Sequence, residues 1–182
     1  MKKIVKNKKL LLLIIIPIVI IITASIIILI NNNNKKEPNN EIINIINKNS
    51  NLPIKYMSKY KENNKYFKKC EVIKNFMSHD YKNKDIVFSF YGYPTDESDY
   101  YLGRYTLLTS KYNLLGVKVG DGIKESINKI KKHDFKLEEE TEFNSTLSYE
   151  DFTIELEQEE EKPIIKQITI AVKNKYTGER IY

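Results

Sequence analysis

The chain has 182 residues, 41% hydrophobic and 30% charged, with a formal charge of +6 and a single cysteine, Cys70. One cysteine excludes an intramolecular disulfide, so any folded domain must be held by packing. The net charge is unevenly divided: residues 1–30 carry 5 basic and no acidic side chains, residues 31–84 carry 12 against 5, and residues 85–182 carry 13 against 19. This split argues against a phosphate-reading surface on the distal part, and no nucleic-acid partner is expected.

Leu10 to Ile30 carries no charge, and Thr23 and Ser25 are its only polar side chains. At about 1.5 Å per residue, a helix of this length spans roughly 30 Å, the thickness of a hydrocarbon core. Lys2, Lys3, Lys6, Lys8 and Lys9 precede it, and Lys35 and Lys36, partly offset by Glu37, follow. The positive-inside rule therefore puts the N-terminus in the cytoplasm and residues 31–182 outside. Thr23-Ala24-Ser25 resembles a signal-peptidase site, but cleavage there would leave Ile26 to Ile30 as an apolar new terminus, so the run is read as an uncleaved signal anchor. The expected organisation is a basic cytoplasmic tail (1–9), the anchor (10–30), a linker (31–53) and an extracytoplasmic domain (54–182). The abundance of Asn, Ile and Lys reads as the codon bias of an AT-rich bacterial genome. The expected location is the cell membrane, with a single pass.

Asn31 to Asn40 has no periodicity and reads as a spacer. Ile42, Ile43, Ile45 and Ile46 fit a short amphipathic helix, either near the bilayer or on the domain. Phe67 to Met77 carries apolar residues at spacings that suit a helix or a strand. The lysines Lys55 to Lys74 interleave with Tyr56, Tyr60, Tyr66 and Phe67, and are read as a solvated face whose rings pack at the core edge. Ile86 to Tyr91 is a strand by β-branched and aromatic content, Tyr100 to Leu108 a second, and Leu114 to Val119 a third, together an antiparallel meander. Asp121 is expected to cap a helix in which Ile123, Ile127 and Ile130 share one face. Phe135 to Phe143 reads as extended. Phe152, Ile154 and Leu156 then alternate with Thr153, Glu155 and Glu157, and a loop from Gln158 to Pro163 joins this run to Ile168, Ile170 and Val172 as a hairpin with one wet face.

The predicted fold class is thus α+β: an N-terminal transmembrane helix, then a small domain with an antiparallel sheet and one or two packed helices. The stretch Gly116-Val117-Lys118-Val119-Gly120-Asp121-Gly122-Ile123 resembles the small extracytoplasmic modules of the SmpA/OmlA and beta-lactamase-inhibitor-protein-like group, in which such a turn opens a helix packed on antiparallel strands. The resemblance covers residues 114–172, although the group's Leu-Gly-x-Pro helix ending is replaced by Lys132-His133-Asp134-Phe135. It implies protein binding or envelope scaffolding. Thr106-Leu107-Leu108-Thr109-Ser110 is similar to the sortase motif Thr-Leu-x-Thr-Cys, with Lys118 and His79 as the basic residue and histidine of such an enzyme. Its nucleophilic Cys is replaced by Ser110, whose hydroxyl cannot supply a ready thiolate.

Other chemistry is weakly signalled. Cys70 with His79 or His133 is read as a small buried hydrophobe rather than a nucleophile with its base. The acidic groups Asp96, Glu97 and Asp99, Glu138 to Glu142, and Glu159 to Glu161 follow no calcium-loop spacing, and the histidines have no zinc spacing. No catalytic, cofactor-binding or metal-ligating residue is expected. The function expected is binding, to a protein or cell-wall partner, with the lipid bilayer engaged through Leu10 to Ile30. A sortase-like extracytoplasmic enzyme is the rival.

Overall fold

The structure is a computed structural model that describes residues 39–60, 65–75, 77–92 and 100–173. The anchor Leu10 to Ile30, the acidic turn Asp96 to Asp99 and the tail beyond Lys173 lie outside the described residues. Among the described residues, no helix is long and apolar enough to cross a membrane.

Period-two alternation builds most of the domain. Strands β1 (Glu71–Lys74), β2 (Ser78–Lys82), β3 (Ile86–Tyr91) and β4 (Tyr101–Leu107) form one antiparallel meander, and β5 (Lys136–Glu140), β6 (Asn144–Tyr149), β7 (Phe152–Glu159) and β8 (Lys162–Val172) form another. They join where β4 pairs with β8, giving one eight-stranded sheet in the order β1-β2-β3-β4-β8-β7-β6-β5. With helices α1 (Asn40–Asn49) and α2 (Ile123–Lys131), this is the α+β class that the pattern predicts.

One face of the sheet is predominantly apolar. Phe88, Phe90, Tyr105, Leu107, Ile168, Ile170, Ile154, Leu156 and Leu147 are at most 1% exposed. Ile123, Ile127 and Ile130 of α2 share the same core, the i, i+4, i+7 stripe that the sequence predicts. Helix α1 starts with Asn39, whose Oδ1 accepts the Glu41 N–H at 2.9 Å, and it contributes Ile42 and Ile46 to that core. Segment 40–49, read within a 31–53 linker, therefore packs on the sheet, because a spacer could not bury two isoleucines at 1% and 0% exposure. Burying each such side chain contributes about 1.5–3 kcal/mol.

Among its described residues, the lysine-rich stretch has no regular structure beyond a single 3-10 turn, Phe67–Lys69, and the strand β1. It is ordered by its rings. Tyr56 is buried, its hydroxyl donating to the Gly103 carbonyl at 2.9 Å, and Phe67 stacks on Tyr81 with ring centroids 4.1 Å apart. Residues 57–60 hydrogen-bond to Leu102 of β4 and to Tyr100 just before it, along the strand from where β8 pairs. The predicted arrangement, rings inward and lysines outward, holds for Tyr56, Phe67, Lys68 and Lys69.

Two expectations fail. Leu114 to Val119 is not a third strand of the meander. Leu114 and Val117 exchange backbone hydrogen bonds of 2.9 Å across Leu115 (φ 51°) and Gly116 (φ 77°), a two-residue turn with both central residues in the left-handed region. The apolar alternation there instead serves to bury Leu114, Leu115 and Val117. Nor does Asp121 cap α2. Its Oδ2 accepts the Lys118 N–H at 3.1 Å, closing the turn before the helix, while the N-cap is Gly122 with no side-chain hydrogen bond. The short strands β2 and β6 are additions to the predicted elements.

Candidate binding surface

The second face of the sheet follows from register. On one rung Asp80, Ser89, Arg104, Ala171, Thr153 and Ser148 lie side by side, and on the next Lys82, Val87, Thr106, Thr169, Glu155, Thr146 and Glu139. Its centre consists of short side chains, with Ser89, Thr106, Thr153, Thr169 and Ala171 between 3% and 9% exposed. The hydroxyls of Thr106 and Thr169 lie 3.2 Å apart and hydrogen-bond across the β4–β8 seam. The predicted wet face is therefore polar but shielded at its middle and solvated at its ends.

Charges gather at the two ends of these rungs. Toward β5 and β7 stand Glu139, Glu155 and Glu157 with Lys136 and Lys166; toward β1, β2 and β4 stand Lys82 and Arg104 with Glu71 and Asp80. Glu157 pairs with Lys166 at 3.0 Å, which holds the Lys166 ammonium above its ordinary pKa. Both partners are solvated, so the pair itself contributes little to stability. At the other end, burial pushes the Tyr91 hydroxyl up, partly offset by hydrogen bonds with Ser89 and Arg104, while the nearby Asp80 adds to the rise. Asp80 Oδ1 and Arg104 Nε are buried atoms with no hydrogen-bond partner among the described residues. This cluster has no signature in the sequence, because Asp80, Tyr91 and Arg104 meet only through the register of β2, β3 and β4.

The residues singled out for catalysis are not brought together. His79 is 4% exposed on the core side of β2, packed against the rings of Tyr60 and Tyr100. It is opposite Phe90, whereas Ser110 follows Leu107, which is opposite Ile86. At about 3.3 Å per residue, the run from Ile86 to Phe90 alone separates them by roughly 13 Å. Lys118 is exposed in the turn before α2. Cys70 precedes the far end of β1, since His79 is opposite Lys74 while Glu71 is opposite Lys82. Its thiol donates to the Tyr66 carbonyl at 3.2 Å, and burial raises its pKa, the reverse of nucleophile activation. His133 lies beyond the end of α2. Among the described residues, no group of three or more His, Cys, Asp or Glu is placed to hold a metal ion.

The geometry defines a small α+β domain, a single antiparallel sheet with helices on its apolar face and a polar face opposite. Compared with known proteins, the chain matches no family model, no curated protein and no solved structure.

Proposed function

We propose that this chain is a binding module of the bacterial envelope, anchored by Leu10 to Ile30 with its N-terminus in the cytoplasm, that engages a protein or cell-wall partner through the polar face of its sheet. The observation that carries this reading is the division of the sheet: its apolar face is consumed by α1, α2 and the ring-bearing segment, leaving a polar face whose charged side chains stand at its two ends. Rigid strands hold Glu155 and Glu157 at fixed spacing, as complementary recognition of a cationic surface requires. The resemblance of residues 114–172 to small extracytoplasmic binding modules supports the same reading. A binding role accords better than a catalytic one with the separation of Ser110, Cys70 and His79.

The test uses the full-length chain in the membranes of its own host, with a photo-crosslinking residue at Thr146. A discrete crosslinked partner is expected, and it should be lost with Glu155→Lys and Glu157→Lys together. Crosslinks that survive the double reversal, or none at all, would overturn the proposal. Protease added to intact protoplasts should trim the chain beyond Ile30; full protection would overturn the orientation.

A further inference from the structure

We propose that Lys68, Lys69, Lys82 and Lys84 form a basic corner of the domain that binds a cell-wall polymer of repeating phosphodiesters. The four come from two places in the chain. Lys68 and Lys69 lie in the 3-10 turn before β1, and Lys82 and Lys84 at the turn from β2 into β3. Register brings them to one end of the sheet, since Glu71, two residues after Lys69, is opposite Lys82. Asn83 joins the halves: its Nδ2 donates to Cys70 Sγ at 3.5 Å, while its Oδ1 accepts the Asp85 and Ile86 N–H groups at 2.9 and 3.2 Å. All four lysines are exposed.

Charge selects an anion. Among the described residues 65–75 and 82–85, Glu71 is the one exposed carboxylate; Asp85 is buried and occupied by Lys111 and Thr109. The exposed Glu159 to Glu161, at the same end of the sheet, belong to the hairpin of β7 and β8. From β2 to β8 is three strands, roughly 14 Å at about 4.8 Å each, beyond the screening length of about 8 Å in physiological salt. Lysine suits a repeating phosphate. An ammonium on a flexible stem takes phosphate as a point charge, whereas the fork of arginine, absent from these residues, fits one planar group in fixed geometry.

Position selects a polymer over lipid. Burial raises the pKa of the Tyr149 hydroxyl, and the Glu150, Glu41 and Asp134 carboxylates add to the rise, so the first turn of α1 lies by the end of β6. Tyr149 is opposite Phe152 and Phe152 opposite Val172, next to the Ala171 that is opposite Arg104. The corner lies instead by Ile86, which is opposite Leu107 at the other end of β4. The chain following the anchor therefore enters the domain at the far end of the strands from the corner. The choice of polymer over lipid rests on the anchor and orientation proposed above; the charge of the corner does not.

The test uses the full-length chain in phosphatidylcholine nanodiscs, with immobilised poly(glycerol phosphate) as the probe and biolayer interferometry as the readout. Binding is expected. Lys68→Gln with Lys69→Gln, and separately Lys82→Gln with Lys84→Gln, should each weaken it by roughly 10–30-fold, the order that two lysines contribute at an anionic surface. The two pairs are independent, so a variant of one that fails to fold leaves the other to decide. Lys124→Gln with Lys131→Gln, the same loss of charge on the exposed side of α2, should leave binding nearly unchanged. No binding to the polymer, or an equal loss from the α2 pair, would overturn the site. Binding that disappears when the discs contain phosphatidylglycerol would put the corner on lipid and overturn the choice of polymer. A wrong orientation is read separately, by the protoplast protease test above, and would leave the binding in nanodiscs intact.

Discussion

Replacing Ile46 by Ala tests whether α1 is part of the folded domain. Ile46 is 0% exposed and sits in the same core as α2 and the apolar sheet face. The change removes three carbons, a transfer loss of roughly 2–2.5 kcal/mol at about 0.8 kcal/mol per buried group. The cavity left behind raises the cost, and truncations of this kind span about 2–5 kcal/mol. A helix of ten residues has little stability of its own, so the loss falls on the whole domain. Taking about 3 kcal/mol and roughly 3–4 °C per kcal/mol for a domain of this size, the midpoint should fall by about 10 °C. The assay is thermal unfolding of the full-length chain in nanodiscs, followed by the near-ultraviolet signal of its tyrosines. Asn44→Ala, on the exposed side of the same helix, should move the midpoint hardly at all. Equal midpoints for the two variants would show that α1 is not integral to the core, and the argument for its place in the domain would fail.

The pair Asp85–Lys111, with N···O of 2.7 Å, predicts a pH dependence. The hydrogen bond from Lys111 holds the Asp85 carboxyl below its ordinary pKa. A depressed folded pKa contributes stability that is present above about pH 4, the unfolded value, and is lost as pH falls through the folded one. Asp85→Asn should therefore lower stability at pH 7 and reduce its decline toward acid; parallel urea-midpoint profiles from pH 7 to pH 2 would contradict this. At Gly92, a Cβ would lie 2.0 Å from Tyr100 Cδ1, inside the ring. Gly92→Ala must displace a buried tyrosine and should cost about 1–3 kcal/mol in chemical denaturation; a wild-type midpoint would show that the ring moves aside freely.

What could be read from the sequence follows from how much apolar surface each element shows. β3, β7, β8 and α2 were legible because Ile86 to Phe90, Phe152 to Leu156, Ile168 to Val172 and Ile123 to Ile130 repeat their apolar residues at one period over several turns or pleats. β6 was not, because Asn144–Tyr149 fully buries only Ser145 and Leu147, with Tyr149 half-buried beside them. β2 likewise hides a buried histidine and tyrosine among Ser78, Asp80 and Lys82. The segment 114–119 misled because a tight turn that buries both flanks has the same alternation as a strand. Of the candidate surface, Glu155 and Glu157 were legible by alternation alone. The meeting of Thr106 and Thr169 depends on β4 lying beside β8, a pairing between segments distant in sequence, and the Asp80, Tyr91 and Arg104 group depends on the register of β2, β3 and β4; no local pattern encodes either.

That seam also bears on the order of assembly. Thr106 and Thr169, which meet across it, are 63 residues apart, and β8 is the last of the described strands. The first four-stranded meander pairs only neighbours in sequence, whereas the inner margin of β4 has no partner in the sheet before residues 168–171. Until then its apolar side is only partly covered and its unpaired margin is a site for wrong pairing. The pairing that joins the two meanders thus closes the longest loop of any strand pairing in the sheet and carries its largest loop-closure cost.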